Sequence, residues 1–564
     1  MTDCSTDVAI IGAGPGGSTC GGFLRKYDPG ISVDIFEQEV FPRDHVGESQ
    51  LPVVPRILNE LGVWDRIEAC NFPIKIGGTY RWGSSDDLWN FDFLPYGRFE
   101  DEPRPGKFEG QRQHTAFQVD RSIYDKVLAD YAEELGCKVH YKSRVREIVH
   151  KDDAIERLIL DDGTSVKAQY YVDASGHVGI LRRAMGVEVE EPSSLKNIAL
   201  WDYWHDAEWA VSLGVGGTRI QVLSLGYGWI WFIPITPERT SIGFVCPADY
   251  YKASGLTIED LYLKALSEEP RLSKLTAGAT REGTVKTTKD WSFIASRMSG
   301  KNWFLAGEAS GFADPILSAG LSLTHASGRE LASLILEARR GGDFGWMCGE
   351  YFRRNAHRVR QHIRFADYWY SANSHFSDLK AHTAEIARDA GLNMTADEAF
   401  QWLGTGGFVE EDMEVAGYSL IRIDQLHVIT GKLSGTPSTS AIHGFNLFVL
   451  KTKNAEEVKI ARFGNGRVVS IRALKRDGKV LPLNGLFGWV IVGLEHSPQL
   501  DLAMSYLFEK MSKVGHWDTH TSTRLIECLD AMIRDGWVKP KVSQSIPVIR
   551  HILPTESSVV RNNE

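Results

Sequence analysis

The first 37 residues constrain the fold more than any other part of the chain. A β-branched run, Asp7 to Ile11, leads directly into the turn G-A-G-P-G-G at Gly12 to Gly17. The sequence then predicts a helix over residues 18–26 and a second strand, Ser32 to Phe36, which is followed by Glu37. Strand, Gly-rich turn, helix, strand and acid in this order are typical of the opening of a dinucleotide-binding α/β fold.

The glycines and the acid of this opening have distinct expected roles. Gly12 permits the tight turn, Gly14 lets the backbone approach a pyrophosphate, and Gly17 allows the helix to pack closely on the strand. The partially positive amino terminus of the helix then faces the phosphates. Glu37 is expected to accept the ribose hydroxyls, which favours FAD or NAD over NADP. The alternative is a tight turn in another kind of α/β protein.

The sequence holds a single turn of this kind, which predicts one dinucleotide site. Strand patterns predict a β-rich, substrate-binding part at about 72–120 and 190–295. A strand at Trp303 to Leu305 then returns the chain to the nucleotide-binding part. We therefore expect an α/β fold with a core over residues 1–375, and a mainly helical region over residues 376–564 that ends in a winged-helix-like unit.

Charge and composition exclude several functional classes. The 564 residues carry a formal net charge of -10, which disfavours nucleic acids and anionic membranes as partners. The longest apolar run, about Trp229 to Ile235, is far shorter than the roughly 20 residues of a spanning helix. Asp3 and Asp7 stand where a signal peptide carries basic residues. The seven cysteines include no CxxC pair, so we expect a cytoplasmic protein without a metal site.

Four further motifs lie between residues 41 and 320. They are F-P-R-D-H-V-G-E-S (41–49), F-P-I-K-I-G-G-T-Y-R-W-G (72–83), W-I-W-F-I-P (229–234) and D-P-I-L-S-A-G (314–320). With these motifs the chain resembles the FAD-dependent halogenases, and among them the branch that acts on phenolic or carrier-tethered substrates. The resemblance spans residues 1 to about 370. It implies a Rossmann-like FAD domain of the p-hydroxybenzoate hydroxylase-like flavin monooxygenase type.

The resemblance also implies a reaction. In such halogenases, reduced FAD and O2 form a flavin hydroperoxide, which chloride or bromide attacks to give hypohalous acid. The acid then moves through an internal tunnel to a lysine beside the substrate. Because the chain has one dinucleotide site, FADH2 is expected from a separate NAD(P)H-dependent flavin reductase.

Lys75 matches this lysine by its F-P-I-K-I-G-G context. Its apolar neighbours, Phe72, Ile74 and Ile76, are expected to bury the amine and lower its pKa, because burial disfavours the charged form. A neutral amine can hold hypohalous acid by a hydrogen bond or become a chloramine. The alternative is an ordinary surface lysine on a strand.

Trp229 and Trp231 lie two residues apart, so that on a strand they point to the same face. The resemblance implies that this pair, with Ser318 and Ala319, lies along the halide path and separates the flavin from the substrate. Aromatic core packing is the alternative for the tryptophans.

The remaining cofactor assignments follow from the resemblance and complete the set that begins with the glycines and Glu37. They are Arg43, Arg121, Glu308, Asp314 and Gly320. Both arginines have a structural ion pair as the alternative. Glu308 stands where the family usually has Asp. Leu317 stands where the tryptophan-acting branch has Glu, which argues against free tryptophan as the substrate.

The sequence therefore predicts an FADH2-dependent halogenase that acts on an electron-rich, phenolic ring. The runner-up is a flavin-dependent hydroxylase or reductase of the same fold, and a third reading is a flavoprotein without turnover whose tail docks a partner. The choice of halide, the mode of FAD attachment and the delivery of the substrate, free or on a carrier protein, stay open.

Overall fold

The computed structural model describes residues 3–81, 88–93, 104–108, 112, 115–191, 196–374, 441–517 and 521–548. The strands among these residues are β1 (Asp3–Ile11), β2 (Val33–Phe36), β3 (Ile74–Arg81), β4 (Trp89–Asp92), β5 (Ala116–Phe117), β6 (Lys138–His140), β7 (Val145–Lys151), β8 (Ala154–Leu160), β9 (Ser165–Asp173), β10 (Val189–Glu190), β11 (Lys196–His205), β12 (Gly217–Leu225), β13 (Gly228–Pro234), β14 (Arg239–Pro247), β15 (Thr280–Arg281), β16 (Lys286–Trp291), β17 (Phe293–Ala295), β18 (Trp303–Leu305), β19 (Gly311–Phe312), β20 (Leu447–Leu450), β21 (Glu456–Gly464), β22 (Arg467–Arg476), β23 (Lys479–Pro482) and β24 (Val538–Lys541). The α-helices are α1 (Pro15–Tyr27), α2 (Val53–Leu61), α3 (Trp64–Ala69), α4 (Arg121–Glu134), α5 (Ile180–Ala184), α6 (Ala248–Ser254), α7 (Ile258–Ser267), α8 (Pro270–Leu275), α9 (Gly320–Arg339), α10 (Phe344–Ser374), α11 (Gly485–His496), α12 (Leu500–Lys513) and α13 (Thr521–Arg534).

The predicted βαβ opening forms the centre of a seven-stranded sheet, with the strand order β6-β2-β1-β9-β8-β7 and β18 paired to β9. Strands β6, β2, β1, β9 and β18 are parallel, whereas β8 and β7 extend the sheet as an antiparallel hairpin. Val8 and Ile10 are fully buried, as expected for the central strand of a parallel sheet covered by helices. Helix α1 packs against both α4 and α9. The α/β prediction is confirmed.

A nine-stranded sheet forms the β-rich part, with the order β15-β11-β14-β13-β12-β3-β4, β16 paired to β11 and β5 paired to β3. Its strands come from residues 74–117 and 196–291, before and after strands β6 to β9 of the first sheet. Leu223, Ile230 and Phe232 on one face belong to a buried cluster with Leu261 and Tyr262 of α7. One face of β12 and β13 therefore packs against α7, and the side chains that alternate with Leu223, Ile230 and Phe232 point to the other face.

The described part of the region predicted to be mainly helical, residues 441–548, contains three helices and five strands. Helices α11, α12 and α13 surround a core of their own, in which Phe448 and Trp537 are fully buried. The antiparallel sheet β21-β22-β23 precedes these helices, and β24 returns to pair with β20. Arg340, the residue that follows α9, donates from Nη1 to Gly466 O at 2.7 Å, between β21 and β22. This region is therefore anchored to the helix that follows D-P-I-L-S-A-G.

A buried ion-pair network joins α9 to α10. Glu330 accepts hydrogen bonds from Arg354 at 3.0 Å and from Arg358 at 2.6 Å. Although burial opposes its ionisation, the two guanidinium groups lower the pKa of Glu330 to about 2.

Within the described ranges, we find no helix with the length and apolar character needed to cross a membrane.

Candidate active site

The Gly-rich turn has the geometry that a pyrophosphate requires. Gly12 has a φ of +100°, and a Cβ there would lie 2.5 Å from the carbonyl oxygen of Ala174. A Cβ at Gly17 would lie 1.9 Å from Gly12 O, so only glycine allows α1 to pack this close to the turn. A Cβ at Gly14 would instead approach only Arg43, at 3.7 Å. The space above Gly14 is therefore open to a phosphate.

Glu37 stands at the end of β2, beside this turn. Its Oε2 accepts from the backbone N of Ala13 at 2.8 Å, and its Oε1 accepts from the backbone N of Glu39 at 2.9 Å. A carboxylate oxygen has two lone pairs, so each still has room for a second donor. This carboxylate can therefore accept ribose hydroxyls without losing its backbone bonds.

Arg43 and Arg121 meet at a single buried carboxylate, Asp125. Arg121 binds Asp125 in a bidentate manner, at 2.6 and 2.9 Å, and donates to the carbonyl oxygens of Val46 and Gly47. Arg43 Nη1 lies 3.3 Å from Asp125 but forms no hydrogen bond within the described residues. Arg121 thus anchors the 41–49 segment, whereas Arg43 keeps donors for an anion near Gly14.

A second cleft lies at the start of α9. Glu308, Asp314, Gly320 and Thr324 line it. Burial raises the pKa of Glu308, and the positive charge of Arg121 partly offsets this effect. Ser318, with a left-handed φ of +59°, and the buried Ala319 lead directly into the amino terminus of α9. The side chain of Leu317 lies outside the described part of the chain.

Taken together, these groups fit FAD. The open space over Gly14, the guanidinium of Arg43 beside it and the carboxylate of Glu37 suit the pyrophosphate and a ribose. Glu308 lines the cleft at the start of α9, where the sequence predicts contact with the flavin end of the cofactor.

Lys75 is buried, so it is not the surface lysine of the alternative reading. It lies on β3 with 0% of its surface exposed, and within the described residues its Nζ has no hydrogen-bond partner. The ring of Phe93 is the aromatic group beside it, with the centroid 5.7 Å from Nζ. Burial lowers the pKa of Lys75 well below its usual value, as the apolar neighbours predict. The structure therefore contains a buried amine whose neutral form is favoured by its surroundings.

Trp229 and Trp231 form a rigid pair on β13. They are 2% and 5% exposed, and their ring centroids lie 6.0 Å apart. The pair and Lys75 belong to the same nine-stranded sheet, because β12 pairs with β13 on one side and with β3 on the other. A bulge between Thr218 and Arg219 interrupts the register of β12 with β3 next to Lys75.

The first indole is held by a hydrogen-bonded chain that joins distant motifs. Trp229 Nε1 donates to Tyr370 Oη at 2.7 Å, and Tyr370 Oη donates to Asp314 Oδ1 at 3.4 Å. Burial raises the pKa of Asp314 to about 7, and the nearby Asp367 adds to this rise. Helix α10 thus connects W-I-W-F-I-P to D-P-I-L-S-A-G through Tyr370.

The second indole is linked to a buried acid. Trp231 Nε1 donates to Ser241 Oγ at 3.1 Å. Burial raises the pKa of Glu48 to about 7, although hydrogen bonds from Ser241 and Tyr203 lower it in part. Glu48 is 2% exposed, and its Oε1 has no hydrogen-bond partner within the described residues. The F-P-R-D-H-V-G-E-S segment therefore reaches the tryptophan pair.

The site residues predicted from the sequence thus lie in two groups. The first group surrounds the FAD cradle and contains Gly12, Gly14, Gly17, Glu37, Arg43, Arg121, Glu308, Asp314, Ser318, Ala319 and Gly320. The second group, on the nine-stranded sheet, contains Lys75, Trp229 and Trp231. Sequence reasoning did not identify Tyr370 or Ser241. No local motif marks either residue, because Tyr370 meets Trp229 across 141 residues and Ser241 meets Trp231 across the pairing of β13 with β14.

Comparisons with known proteins agree with this arrangement. The profile of the family described as tryptophan halogenase matches residues 7–104 and 98–379. A chlorinase of 1H-pyrrole-2-carbonyl peptidyl-carrier protein from Pseudomonas fluorescens is 31% identical over 358 residues, which are 61% of this chain and 78% of the relative. Tryptophan 2-halogenase from Chondromyces crocatus is 31% identical over 327 residues, which are 57% of this chain and 59% of the relative.

The fold is shared beyond the part matched by the family profile. The crystal structure of CmlS, a flavin-dependent halogenase, superposes with a TM-score of 0.70 at 24% identity and covers 96% of both chains. The family match covers more than half of this chain and includes both the FAD cradle and the Lys75 strand. The chain therefore belongs to the tryptophan halogenase family and is an FAD-using, flavin-dependent halogenase.

Proposed function

We propose that this halogenase makes hypohalous acid from chloride or bromide and delivers it through Lys75 to an electron-rich, phenolic ring, free or bound to a carrier protein. The observation that carries the proposal is the amine of Lys75, fully buried and without a partner in the described part of the chain. A structural lysine in such a place would be paired, because an unpaired buried polar group costs stability.

Burial favours the neutral form of the Lys75 amine, in which the lone pair is available. Bound FADH2, with O2, supplies the oxidation of halide to hypohalous acid. The amine then either holds this acid by a hydrogen bond or attacks its halogen. In the second case the N–halogen bond forms as the halogen–oxygen bond breaks, and water leaves. The aromatic ring takes the halogen, loses a proton and returns the amine to its free form.

The other residues have supporting roles in this proposal. Trp229 and Trp231 keep the organic substrate away from the flavin, so that halide reaches the oxidant first. Backbone N–H groups of Ala319 and Gly320, at the amino terminus of α9, hold the halide or the flavin edge, whereas the N–H of Ser318 donates to Pro315 O at 2.9 Å. Residues 1–375 form the catalytic core, and residues 376–564 are a separate region. FADH2 comes from a separate reductase, because the chain offers one dinucleotide site.

The direct test supplies FADH2, O2, bromide and a phenol, and measures bromophenol by mass. Lys75→Ala should abolish bromophenol while FAD binding persists. Lys126→Ala is the matched control, because Lys126 is exposed on α4 and pairs with Asp130. Bromophenol from Lys75→Ala would refute the role of this lysine. Hydroxylated phenol without halogen from the wild type would refute the proposed reaction.

The delivery of the substrate is tested separately. The Pseudomonas chlorinase, by its name, acts on a carrier-bound pyrrole. A phenolic acid is offered free and as its carrier-protein thioester, and the halogenated product is measured by mass. The isolated chain should not oxidise NADH or NADPH in either assay, and such oxidation would contradict the need for a separate reductase.

A further inference from the structure

Two more polar side chains near Lys75 are buried without partners. Gln118 is 0% exposed, and neither its Oε1 nor its Nε2 has a hydrogen-bond partner within the described residues. Ser49 is 7% exposed, and its Oγ likewise has no partner there. Buried amides and hydroxyls are bonded in nearly all folded proteins, so this pattern indicates that a bound species supplies the missing bonds.

Strand register places both groups on the side of Lys75. Lys75 pairs with Ala116 of β5, and Gln118 lies two residues beyond Ala116, on the same face. Ser49 in turn bridges to Gln118 in an antiparallel pair. The row Ser49–Gln118–Lys75 therefore carries a hydroxyl, an amide and an amine on one buried face.

The row also begins close to the cofactor cradle. Ser49 belongs to the segment 41–49, which starts next to Arg43 and is fixed by Arg121 through the carbonyl of Gly47. The other end of the row is Lys75, which lies on β3, the strand that pairs with β12. The three side chains thus lie in the order expected of a path from the flavin to the amine.

We propose that Gln118 and Ser49 form a binding site for hypohalous acid beside Lys75, a subsite that rests on the proposed delivery function. The carbonyl oxygen of Gln118 accepts the O–H of the acid, and its N–H donates to the oxygen. The hydroxyl of Ser49 supplies one more donor. The halogen then points to the amine of Lys75, while amide and hydroxyl resist an oxidant that readily attacks sulfur side chains. Both residues position the oxidant and do not react with it.

The test uses a competition between two acceptors. The holoenzyme receives FADH2, O2 and bromide, together with a simple phenol and a large excess of a 1,3-diketone. The diketone captures hypobromous acid that escapes into solution, so bromophenol reports oxidant delivered by the protein. Gln118→Leu should lower the ratio of bromophenol to bromodiketone about 3- to 10-fold, as the loss of one or two hydrogen bonds predicts. Ser49→Ala should change it in the same direction.

The control is Thr115→Val, a nearly isosteric change of a buried hydroxyl that has no partner in the described residues. Thr115 precedes β5 and lies outside the row Ser49–Gln118–Lys75. This variant should keep the wild-type ratio. Gln118→Asn, which retains an amide, should restore part of the loss, and FADH2 consumption should stay constant in all variants. Thermal midpoints and FAD titration verify folding.

The outcomes separate the subsite from the delivery function. A wild-type ratio in both Gln118→Leu and Ser49→Ala would overturn the subsite and leave the role of Lys75 intact. Equal losses in Thr115→Val would also overturn it, because the effect would then be structural. No bromination of either acceptor by the wild type would overturn the proposed function itself, and the subsite with it.

Discussion

Replacing Lys75 with methionine is expected to stabilise the protein while it removes halogenation. The amine is fully buried and has no hydrogen-bond partner in the described residues, whereas methionine fills a similar volume without a polar atom. Leaving a buried polar group unpaired costs about 1–3 kcal/mol in proteins. The free energy of unfolding of the variant should therefore exceed that of the wild type by this amount. The difference should persist at a pH where the wild-type amine is neutral in both the folded and the unfolded state.

The gain should also grow as the pH falls. Burial lowers the pKa of Lys75 in the folded state, while the unfolded chain keeps a value of about 10.4. Between these two pKa values the unfolded chain binds one proton more, so the stability of the wild type decreases by about 1.4 kcal/mol for each pH unit lost. The contribution of the neutral Lys75 amine to the free energy of unfolding is thus complete above the pKa of the unfolded chain. It is lost as the pH falls towards the pKa of the folded protein.

Urea unfolding of the wild type and Lys75→Met at several pH values below the unfolded pKa of about 10.4 measures this difference. Thr115→Val is the control, because it also removes a buried, unpartnered polar group but no titrating one. Its stability difference should not vary with pH. A constant difference for Lys75→Met, or a variant less stable than the wild type, would show that the amine is paired or hydrated, and the reasoning would fail.

Three further predictions concern groups around the site. Burial raises the pKa of Glu48 from 4.5 in the unfolded chain to about 7 in the folded protein. The stability linked to the neutral carboxyl is therefore present below pH 4.5 and is lost as the pH rises through 7. Glu48→Gln should therefore gain about 3 kcal/mol over the wild type above pH 7 and little near pH 4, by urea unfolding; an equal gain at both pH values would contradict this. Gly14→Ala should weaken FAD binding about 10-fold or more in a fluorescence titration, because its side chain occupies the phosphate space. Its thermal midpoint should hold, since a Cβ there approaches only Arg43, at 3.7 Å; unchanged FAD affinity would refute the cradle. Tyr370→Phe, which deprives the indole of Trp229 of its partner, should lower the halogenated product per FADH2 oxidised about 3-fold; wild-type coupling would show that the hydrogen bond does not orient the indole.

The opening of the fold was predictable because its determinants are local. The sequence predicts a helix over residues 18–26 and a strand from Ser32 to Phe36, and the structure has Pro15–Tyr27 and Val33–Phe36. Glycine spacing and a β-branched run act over a few residues, so no tertiary contact was needed to read them. The burial of Lys75 followed in the same way from Phe72, Ile74 and Ile76, which flank it.

The contacts that complete the site were not predictable from local patterns. Trp229 and Tyr370 meet at 2.7 Å although 141 residues separate them, and Ser49 pairs with Gln118 from another part of the chain. Both contacts depend on how β13, α10 and β5 come together, which periodicity does not encode. Arg121 is instructive, because a motif match places it by the flavin and the structure shows its guanidinium held by Asp125.

The contrast between paired and unpaired buried charges distinguishes structural positions from the proposed site. Glu330 is buried with two arginines against it, and its pKa falls to about 2, so its charge serves the packing of α9 on α10. Lys75 and Glu48 are as deeply buried, yet each has a polar atom without a partner, and in each burial shifts the pKa towards the neutral form. A fold selected only for stability would pair or replace such groups, because each costs free energy of folding. The presence of such groups on the 41–49 segment and on the Lys75 strand is the pattern expected of a site whose chemistry uses them, as proposed for Lys75.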